Sequence, residues 1–153
     1  MKISTRGEYG IRAMLDIALH DCEGPVALKS ISERQEISEP YLEQLIGGLR
    51  KAGMVTATRG AQGGYELAKK PSEIRIGDLI RVLEGPIAPV ECVREEDDKD
   101  DKSGCCSNAS RCATRVLWQK LRDSMVEVLD STTLGDLVRI YQDLNKSETM
   151  YYI

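Results

Sequence analysis

The sequence predicts a mainly α-helical protein with one small β-hairpin, built as a winged helix-turn-helix domain followed by a long dimerisation helix. Three features support this fold class. Two helical stretches are separated by only three residues, a hairpin pattern follows the second of them directly, and a long apolar stripe at helical spacing returns near the end of the chain. A length of 153 residues suits one such domain with an extension.

The helix-turn-helix is predicted from hydrophobic periodicity and a capping residue. Apolar residues three and four apart predict a first helix over residues 8–22, a short helix over 28–35 and a longer helix that begins after Ser38. Serine is a favoured helix cap, so Ser38 is expected at that position. In such a motif the second helix lies in the major groove of DNA.

The wing follows at once. Alternating residues predict strands at 55–58 and 65–67, and the glycine-rich stretch between them predicts a tight turn. One more short helix, at 76–83, ends at Gly85-Pro86. We therefore divide the chain into a winged domain (1–86), a cysteine-bearing loop without periodicity (87–111), and a dimerisation helix with a C-terminal tail (112–153).

Charge and composition narrow the function classes. Residues 91–103 contain seven acids and three bases, which accounts for the whole net charge of −4, so the rest of the chain can still present a basic surface. The sequence has neither a signal-peptide pattern nor an apolar run of about 20 residues, and we expect a cytoplasmic protein without a membrane segment. Five cysteines in such a protein indicate metal or redox chemistry rather than disulfides.

Polar side chains near the start of the longer helix are the candidate base readers, since this end of a recognition helix contacts base edges. The candidate contacts to bases, phosphates and the minor groove are Ser38, Tyr41, Glu43, Gln44, Lys29, Ser30, Arg50, Lys51, Arg59 and Gly60. Gln44 can pair with adenine through both amide atoms, and Arg59 at the wing tip can enter the minor groove. Tyr41 can equally be a packing residue, Glu43 a solvated position, and the whole module a protein-interaction domain.

Three cysteines have spacings that suit an iron-sulfur cluster. Thirteen residues separate Cys92 from Cys106, and five separate Cys106 from Cys112. Zinc is disfavoured because close Cys-x-x-Cys pairs are absent and the only histidine, His20, belongs to the first helix. Iron-sulfur clusters accept more varied spacings. Cys22, at the end of the apolar stripe, is expected in the core, and His20 is expected in solvent.

Four motifs resemble the IscR, NsrR and CymR family of bacterial regulators. They are Lys2-Ile3-Ser4-Thr5-Arg6-Gly7-x-Tyr9, Tyr41-Leu42-Glu43-Gln44-Leu45, Leu49-Arg50-x-x-Gly53 and Arg59-Gly60-x-x-Gly63-Gly64-Tyr65. The resemblance implies a homodimeric winged-helix regulator with Ser38, Glu43 and Gln44 in the recognition helix and Arg59 in the minor groove. It also implies a cluster, taken as 2Fe-2S, held by three cysteines in the positions of Cys92, Cys106 and Cys112.

The chain departs from the IscR branch at the fourth ligand. That branch has a histidine three positions after the last cysteine, where this chain has Arg115. The resemblance to NsrR-type relatives instead makes Glu8, from the first helix of the partner subunit, the candidate fourth ligand. An acid in the first turn of a helix is also favoured by the helix dipole alone. Cys105 is the alternate to Cys106, because adjacent side chains diverge.

The C-terminal half resembles the CymR branch, which lacks the three-cysteine set. The similar segments are Leu83-Glu84-Gly85-Pro86-Ile87-x-Pro89-Val90-Glu91, Asp130-Ser131-Thr132-Thr133-Leu134 and Met150-Tyr151-Tyr152-Ile153. This likeness implies control through a complex with cysteine synthase, with the terminal carboxylate of Ile153 docked in an enzyme pocket. The alternative is an apolar tail packed on the dimer.

The sequence thus supports a repressor or dual regulator that senses a 2Fe-2S cluster and controls iron-sulfur or cysteine metabolism genes. The alternative in the same class is a cluster-free cysteine-metabolism repressor controlled by cysteine synthase. A thiol oxidoreductase using Cys105 or Cys106 is disfavoured, since no Cys-x-x-Cys lies beside a βαβ pattern. We therefore expect a protein that is not an enzyme.

Overall fold

The computed structural model describes residues 2–94 and 107–150, except for the side chains of 109, 149 and 150. It confirms the predicted fold class, because the described chain is mainly helical with one antiparallel hairpin. The helices and strands are α1 (Thr5–His20), α2 (Leu28–Gln35), α3 (Glu39–Lys51), β1 (Val55–Thr58), β2 (Gly64–Leu67), α4 (Ile76–Glu84), α5 (Ala113–Ser131) and α6 (Leu134–Met150).

The hydrophobic core lies between α1, α3 and α4. Its fully buried members come from positions three and four apart on these helices, the spacing of an amphipathic helix. They include Met14, Ile17, Leu42, Leu45, Leu49 and Leu79. Leu134, the first residue of α6, is also fully buried and belongs to the same cluster. The last helix therefore begins inside the core of the winged domain.

A buried carboxylate ties α1 to the helix-turn-helix. Asp16 is only 2% exposed, and it accepts hydrogen bonds from Arg34 Nη2 at 2.7 Å and from Gln35 Nε2 at 2.9 Å. Arg12, one turn earlier, donates to the backbone carbonyl of Gln35 at 2.6 Å. The hydrogen bond to Asp16 raises the pKa of Arg34 above its ordinary value. The end of α2 is thus fixed to α1 by charged hydrogen bonds.

The wing is anchored to the segment before α2. Val55 of β1 pairs with Leu67 of β2, and Val26 forms a further bridge to Tyr65 through bonds of 2.9 and 2.8 Å. A Cβ at Gly64 would collide with the backbone of Val26, so glycine is required for this close approach. The anchor fixes the direction in which the turn beyond Thr58 projects.

Glu84, the last residue of α4, caps the N-terminus of α1. Its Oε1 accepts from the Ser4 amide at 2.7 Å, the Ser4 hydroxyl at 2.6 Å and the Gly7 amide at 3.2 Å. A side chain at position 7 would collide with this carboxylate. Two amides at the start of α1, those of Ser4 and Gly7, are therefore satisfied by a residue 77 to 80 positions away.

An ion pair and two backbone bonds join α4 to the last two helices. Arg81 binds Asp130 with both ends of its guanidinium, at 2.7 and 3.1 Å, and this bond lowers the pKa of Asp130. The turn between α5 and α6 is held by Ile76, whose amide donates to Thr132, and by Leu134, whose amide donates to Ile74. The start of α4 and the end of α5 thus form one joint.

The two C-terminal helices leave apolar side chains in solvent. No residue in α5 is buried. Both α5 and α6 carry large apolar side chains that are about half exposed or more, namely Val116, Leu117, Val128, Ile140, Tyr141 and Leu144. The part of the apolar stripe formed by Val116, Leu117 and Val128 is therefore open in the single chain, whereas Met125 and Leu129 pack against the core.

Two predictions about the end of α1 require correction. The helix ends at His20, and Cys22 lies in a 3-10 turn (Asp21–Glu23) where it is exposed, so its assignment to the core was wrong. Periodicity cannot show where the helix changes to a tighter turn that rotates the side chain outward. His20 is half-buried, with Nδ1 2.8 Å from the carbonyl oxygen of Asp16. No helix in the described ranges is long and apolar enough to span a membrane.

Candidate functional site

The third helix has two faces with different roles. Leu42, Leu45, Ile46 and Leu49 are buried and hold the helix on the core. The opposite face carries Glu43, Gln44, Arg50 and Lys51, all exposed. Glu43 and Arg50 are seven positions apart, as are Gln44 and Lys51, so each pair lies on the same side of the helix and the four form one stripe along it. The helix thus presents hydrogen-bonding groups near its start and cations near its end.

Ser38 and Tyr41 stand at the beginning of this helix in different environments. Ser38 is at the N-cap, as expected, but its hydroxyl makes no capping bond, and only its carbonyl accepts from the Leu42 amide at 2.9 Å. Tyr41 is half-buried, with its ring edge against Tyr9 at a centroid distance of 6.1 Å. The Ser38 hydroxyl is therefore exposed and available, whereas Tyr41 has a packing contact.

The remaining predicted contacts lie on α2 and the wing. Lys29 is exposed and 4.0 Å from Glu33 one turn later, and Ser30 is half-buried. Arg59 and Gly60 are exposed in the turn of the hairpin, where Gly60 has a φ of +116°. Such a φ is a conformation that glycine adopts without strain. The turn therefore needs glycine beside Arg59.

Cys92 lies in a short 3-10 helix (Glu91–Val93) that is held against α5. Arg115 Nε donates to the carbonyl of Cys92 at 3.4 Å, and Arg122 Nη1 donates to the carbonyl of Val93 at 3.0 Å. The side chain of Val93 is buried, while Cys92 is half-buried. Two arginines seven residues apart on α5 thus fix the backbone around this cysteine.

Cys112 stands at the N-cap of the same helix. Its sulfur is 3.1 Å from the Thr114 hydroxyl. This hydrogen bond, followed by one from the backbone amide of Arg115, lowers the pKa of the Cys112 thiol. A pocket of about 400 Å³ opens beside it, with Arg111 and Arg115 in its lining. The environment favours a thiolate, the form in which cysteine binds metals.

Arg115 therefore links the two segments that carry Cys92 and Cys112. Arg115, three residues after Cys112, contacts the backbone of Cys92 across 23 residues of sequence. Cys105 and Cys106 lie outside the described residues. Glu8 is exposed in the first turn of α1. Within residues 2–94 and 107–150 no three metal-binding side chains converge on one point.

Three arginines near the candidate sites had no structural role predicted from the sequence. Arg115 and Arg122 position the Cys92 segment, and Arg6 lies beside α3, where a Cβ on Gly48 would be 4.0 Å from its Nη2 atom. The signal for Arg115 and Arg122 was their seven-residue spacing on a helix. For Arg6 there was no local signal, because α1 and α3 meet only in the folded chain.

Comparison with known proteins identifies the family. Residues 3–140 match the family described as "Rrf2: Iron-dependent Transcriptional regulator". The chain is 48% identical over 153 residues to the HTH-type transcriptional regulator CymR of Bacillus subtilis (strain 168), with 100% of both chains covered. It is 44% identical over 138 residues to the HTH-type transcriptional regulator IscR of Aliivibrio salmonicida (strain LFI1238), which covers 90% of this chain and 77% of the relative.

The fold is also that of solved relatives. A structure titled "T. potens IscR" superposes with a TM-score of 0.75 at 48% identity, covering 94% of this chain and 90% of the other. These relatives are named as transcription regulators and not as enzymes. The oxidoreductase alternative is therefore not supported.

Proposed function

Because the chain belongs to the Rrf2 family of transcriptional regulators, we propose that α3 and the wing read its DNA operator and that an iron-sulfur cluster controls this binding. The observation that carries the proposal of DNA binding is the shape of α3: one face of this helix is buried, and the opposite face carries an exposed polar stripe. Gln44 and Ser38 read bases, Glu43 accepts from cytosine, and Arg50 and Lys51 contact phosphates.

The residues outside α3 have supporting roles in this proposal. Lys29 and Ser30 on α2 contact the phosphate backbone, and Arg59 with Gly60 enters the minor groove. Tyr41 contacts DNA through the part of its ring that does not pack against Tyr9. The bonds from Asp16 and Arg12 to the end of α2 set the angle between α2 and α3. Since the contacts are spread over three elements, this angle decides whether all of them reach one duplex.

The DNA-binding proposal is tested with a duplex selected by the protein from a randomised pool, compared with a scrambled duplex of equal length. Gln44→Ala should lose about 1–3 kcal/mol of discrimination between the two. Arg59→Ala should weaken binding and reduce its salt dependence. If Gln44→Ala discriminates as well as the parent protein, α3 is not the reading helix.

The cluster part rests on Cys112 at the start of α5 and on Cys92 in the 3-10 helix held against α5. The lowered pKa of Cys112 and the fixed backbone of Cys92 suit thiolate ligands, so these described residues fit the proposed site. Cys106, with Cys105 as its alternate, supplies the third sulfur, and Glu8 of a second copy supplies the fourth ligand. A 2Fe-2S cluster bound there supplies a one-electron redox centre.

The described bonds offer a route from this site to the DNA-binding helices. Arg115 and Arg122 link the Cys92 segment to α5, Arg81 with Asp130 links α5 to α4, and Glu84 links α4 to α1. When Cys92 is held by a ligand, the segment after Glu84 is restrained at both ends. We propose that this restraint shifts α1, and with it α2 and α3, between two arrangements.

Anaerobic reconstitution with iron and sulfide tests the cluster. The parent protein should show visible absorbance with iron and sulfide bound in equal amounts, and Cys92→Ala, Cys112→Ala and Cys106→Ala should lose it. Cys22→Ala is the matched control, since Cys22 is exposed on another element. Glu8→Ala should keep the iron but bind it less firmly. A colourless protein that binds its selected duplex with full affinity would contradict the proposal.

A homodimer accounts for the open apolar side chains of α5. We propose that the α5 helices of two copies pack against each other through Leu117 and Val128, 55% and 63% exposed. In this proposal residues 1–86 bind DNA, 87–111 hold the cluster and 112–153 form the dimer. Sedimentation equilibrium measures the association directly, and a monomer at micromolar concentration would exclude it.

A second candidate is a cluster-free repressor of cysteine metabolism controlled by cysteine synthase. It is favoured by the 48% identity to CymR over the complete length of both chains, which includes the tail. Tyr151–Ile153, the proposed docking segment, lies outside the described residues. Removal of these three residues should abolish binding to cysteine synthase in calorimetry and leave iron binding unchanged. No binding by the full chain would remove this candidate.

A further inference from the structure

The arginines of the described chain differ in how their charge is balanced. One group pairs with carboxylates within 4.0 Å and consists of Arg34, Arg75, Arg81, Arg94, Arg122 and Arg139. Arg6, Arg50 and Arg59 have no such partner among residues 2–94 and 107–150. All three belong to the winged domain and are exposed. Arg12, Arg111 and Arg115 also lack a carboxylate within 4.0 Å among the described residues, and the last two lie outside this domain. The three exposed guanidinium groups of the winged domain favour an anionic partner.

Arg6 is placed beside the recognition helix by the packing of α1. It lies in the first turn of α1, whose backbone is fixed by the Glu84 cap at Ser4 and Gly7. A Cβ added to Gly48 of α3 would be 4.0 Å from Arg6 Nη2, which is van der Waals contact. The guanidinium therefore lies against α3 at a point where the helix has no side chain.

The neighbouring Gly47 has no packing reason to be glycine. A Cβ there would meet no atom within 4 Å, although glycine is among the least favourable residues in a helix interior. Gly47 is four residues after Glu43 and three before Arg50, so it belongs to the exposed stripe of α3. The bare backbone therefore lies between the base-reading residues and the cations.

We propose that Arg6 binds a DNA backbone phosphate next to Gly48, and that Gly47 lets this strand approach the backbone of α3. The proposal rests on the proposed function, since α3 must face the DNA. It adds a phosphate contact from α1, an element outside the helix-turn-helix. Arginine suits this role because its guanidinium donates two parallel hydrogen bonds to phosphate oxygens. Such contacts fix the register of the protein and carry no sequence information.

The test measures affinity against salt concentration for the full chain, on the selected duplex and on its scrambled counterpart. Arg6→Ala should reduce the slope of log K against log salt by about 0.9 per copy of the chain. Both duplexes should be affected equally. Arg139→Ala removes the same charge from α6, where Arg139 pairs with Asp136, and should leave the slope unchanged. A slope for Arg6→Ala equal to that of the parent overturns the proposal.

Gly47→Ala separates the DNA role from a structural one. Since the added methyl group meets no atom and alanine favours helices, the midpoint of thermal unfolding should rise by about 2–4 °C. Affinity for both duplexes should nevertheless fall. A variant that binds as tightly as the parent protein overturns the proposal. The Gln44→Ala variant tests separately whether α3 reads bases. The proposal for Arg6 and Gly47 can therefore fail even when Gln44→Ala shows that α3 reads DNA.

Discussion

The winged domain and the two C-terminal helices are stabilised in different ways. The winged domain buries apolar side chains from α1, α3 and α4 in one cluster, and its buried carboxylate, Asp16, is fully hydrogen-bonded. By contrast, α5 contains no fully buried residue. It is attached through the partly buried Met125, Val126 and Leu129 and through polar bonds of Arg81, Arg115 and Arg122. Apolar burial supplies most folding free energy, whereas exposed ion pairs supply little. The winged domain thus contains most of the buried apolar side chains, to which α6 adds Leu134, whereas the long helix keeps apolar side chains open to a partner.

The difference between the two regions should be largest when a buried side chain of the core is shortened. Leu79 of α4 is fully buried, so Leu79→Ala should lower the free energy of unfolding by about 2–5 kcal/mol. Leu144→Ala makes the same change at an exposed site of α6 and should stay within about 0.5 kcal/mol. Urea titration followed by circular dichroism, at one protein concentration, measures both. Equal losses would mean that the difference in burial between Leu79 and Leu144 does not govern stability.

The buried carboxylate gives the next largest effect. Asp16→Asn removes a buried negative charge that accepts hydrogen bonds from three side-chain nitrogen atoms of Arg34 and Gln35. This substitution should lower the free energy of unfolding by about 2–3 kcal/mol. Operator binding should weaken as well, because the end of α2 loses its attachment to α1. Glu33→Gln, which alters an exposed pair with Lys29, is the control and should cost less than about 0.5 kcal/mol. A loss no larger than that of the control would contradict this role.

A charge on the open face of α5 should separate the copies without unfolding them. Leu117→Asp should weaken self-association by about 2 kcal/mol, or about 30-fold in the dissociation constant, because a carboxylate would be buried without a partner. Analytical ultracentrifugation gives the constant, and Glu127→Gln on the same helix serves as the control. Unchanged association would place the partner surface elsewhere.

Loss of the Arg81–Asp130 ion pair, which joins α4 to α5, should have the smallest effect on stability, and this effect depends on pH. The Arg81 guanidinium lowers the pKa of Asp130, so the ion pair stabilises the fold above the unfolded value of about 3.9. This contribution disappears as pH falls through the lower folded pKa. Asp130→Asn should therefore cost about 1 kcal/mol at pH 7 and nothing in strong acid. A cost that does not change with pH would show that packing, not charge, is lost.

Local elements could be predicted because their signals lie within a few residues. The helix at 28–35 and the strand at 55–58 were predicted with the bounds that α2 and β1 have, since periodicity and glycine-rich turns act locally. The exposed position of Glu43 and Gln44 follows from the same periodicity. The ends of α1 were less well predicted, because helix termini depend on contacts as well as on pattern.

By itself the sequence determined the helix-turn-helix, the wing, the family and the set of candidate ligands. The tertiary structure decided the exposure of Cys22, the packing contact of Tyr41, and the attachment of Cys92 to α5 through Arg115. It also decided the capping of α1 by Glu84, 80 residues from Ser4. The physical reason is range: periodicity reports on neighbours three or four positions apart, whereas these bonds form only after distant helices have packed.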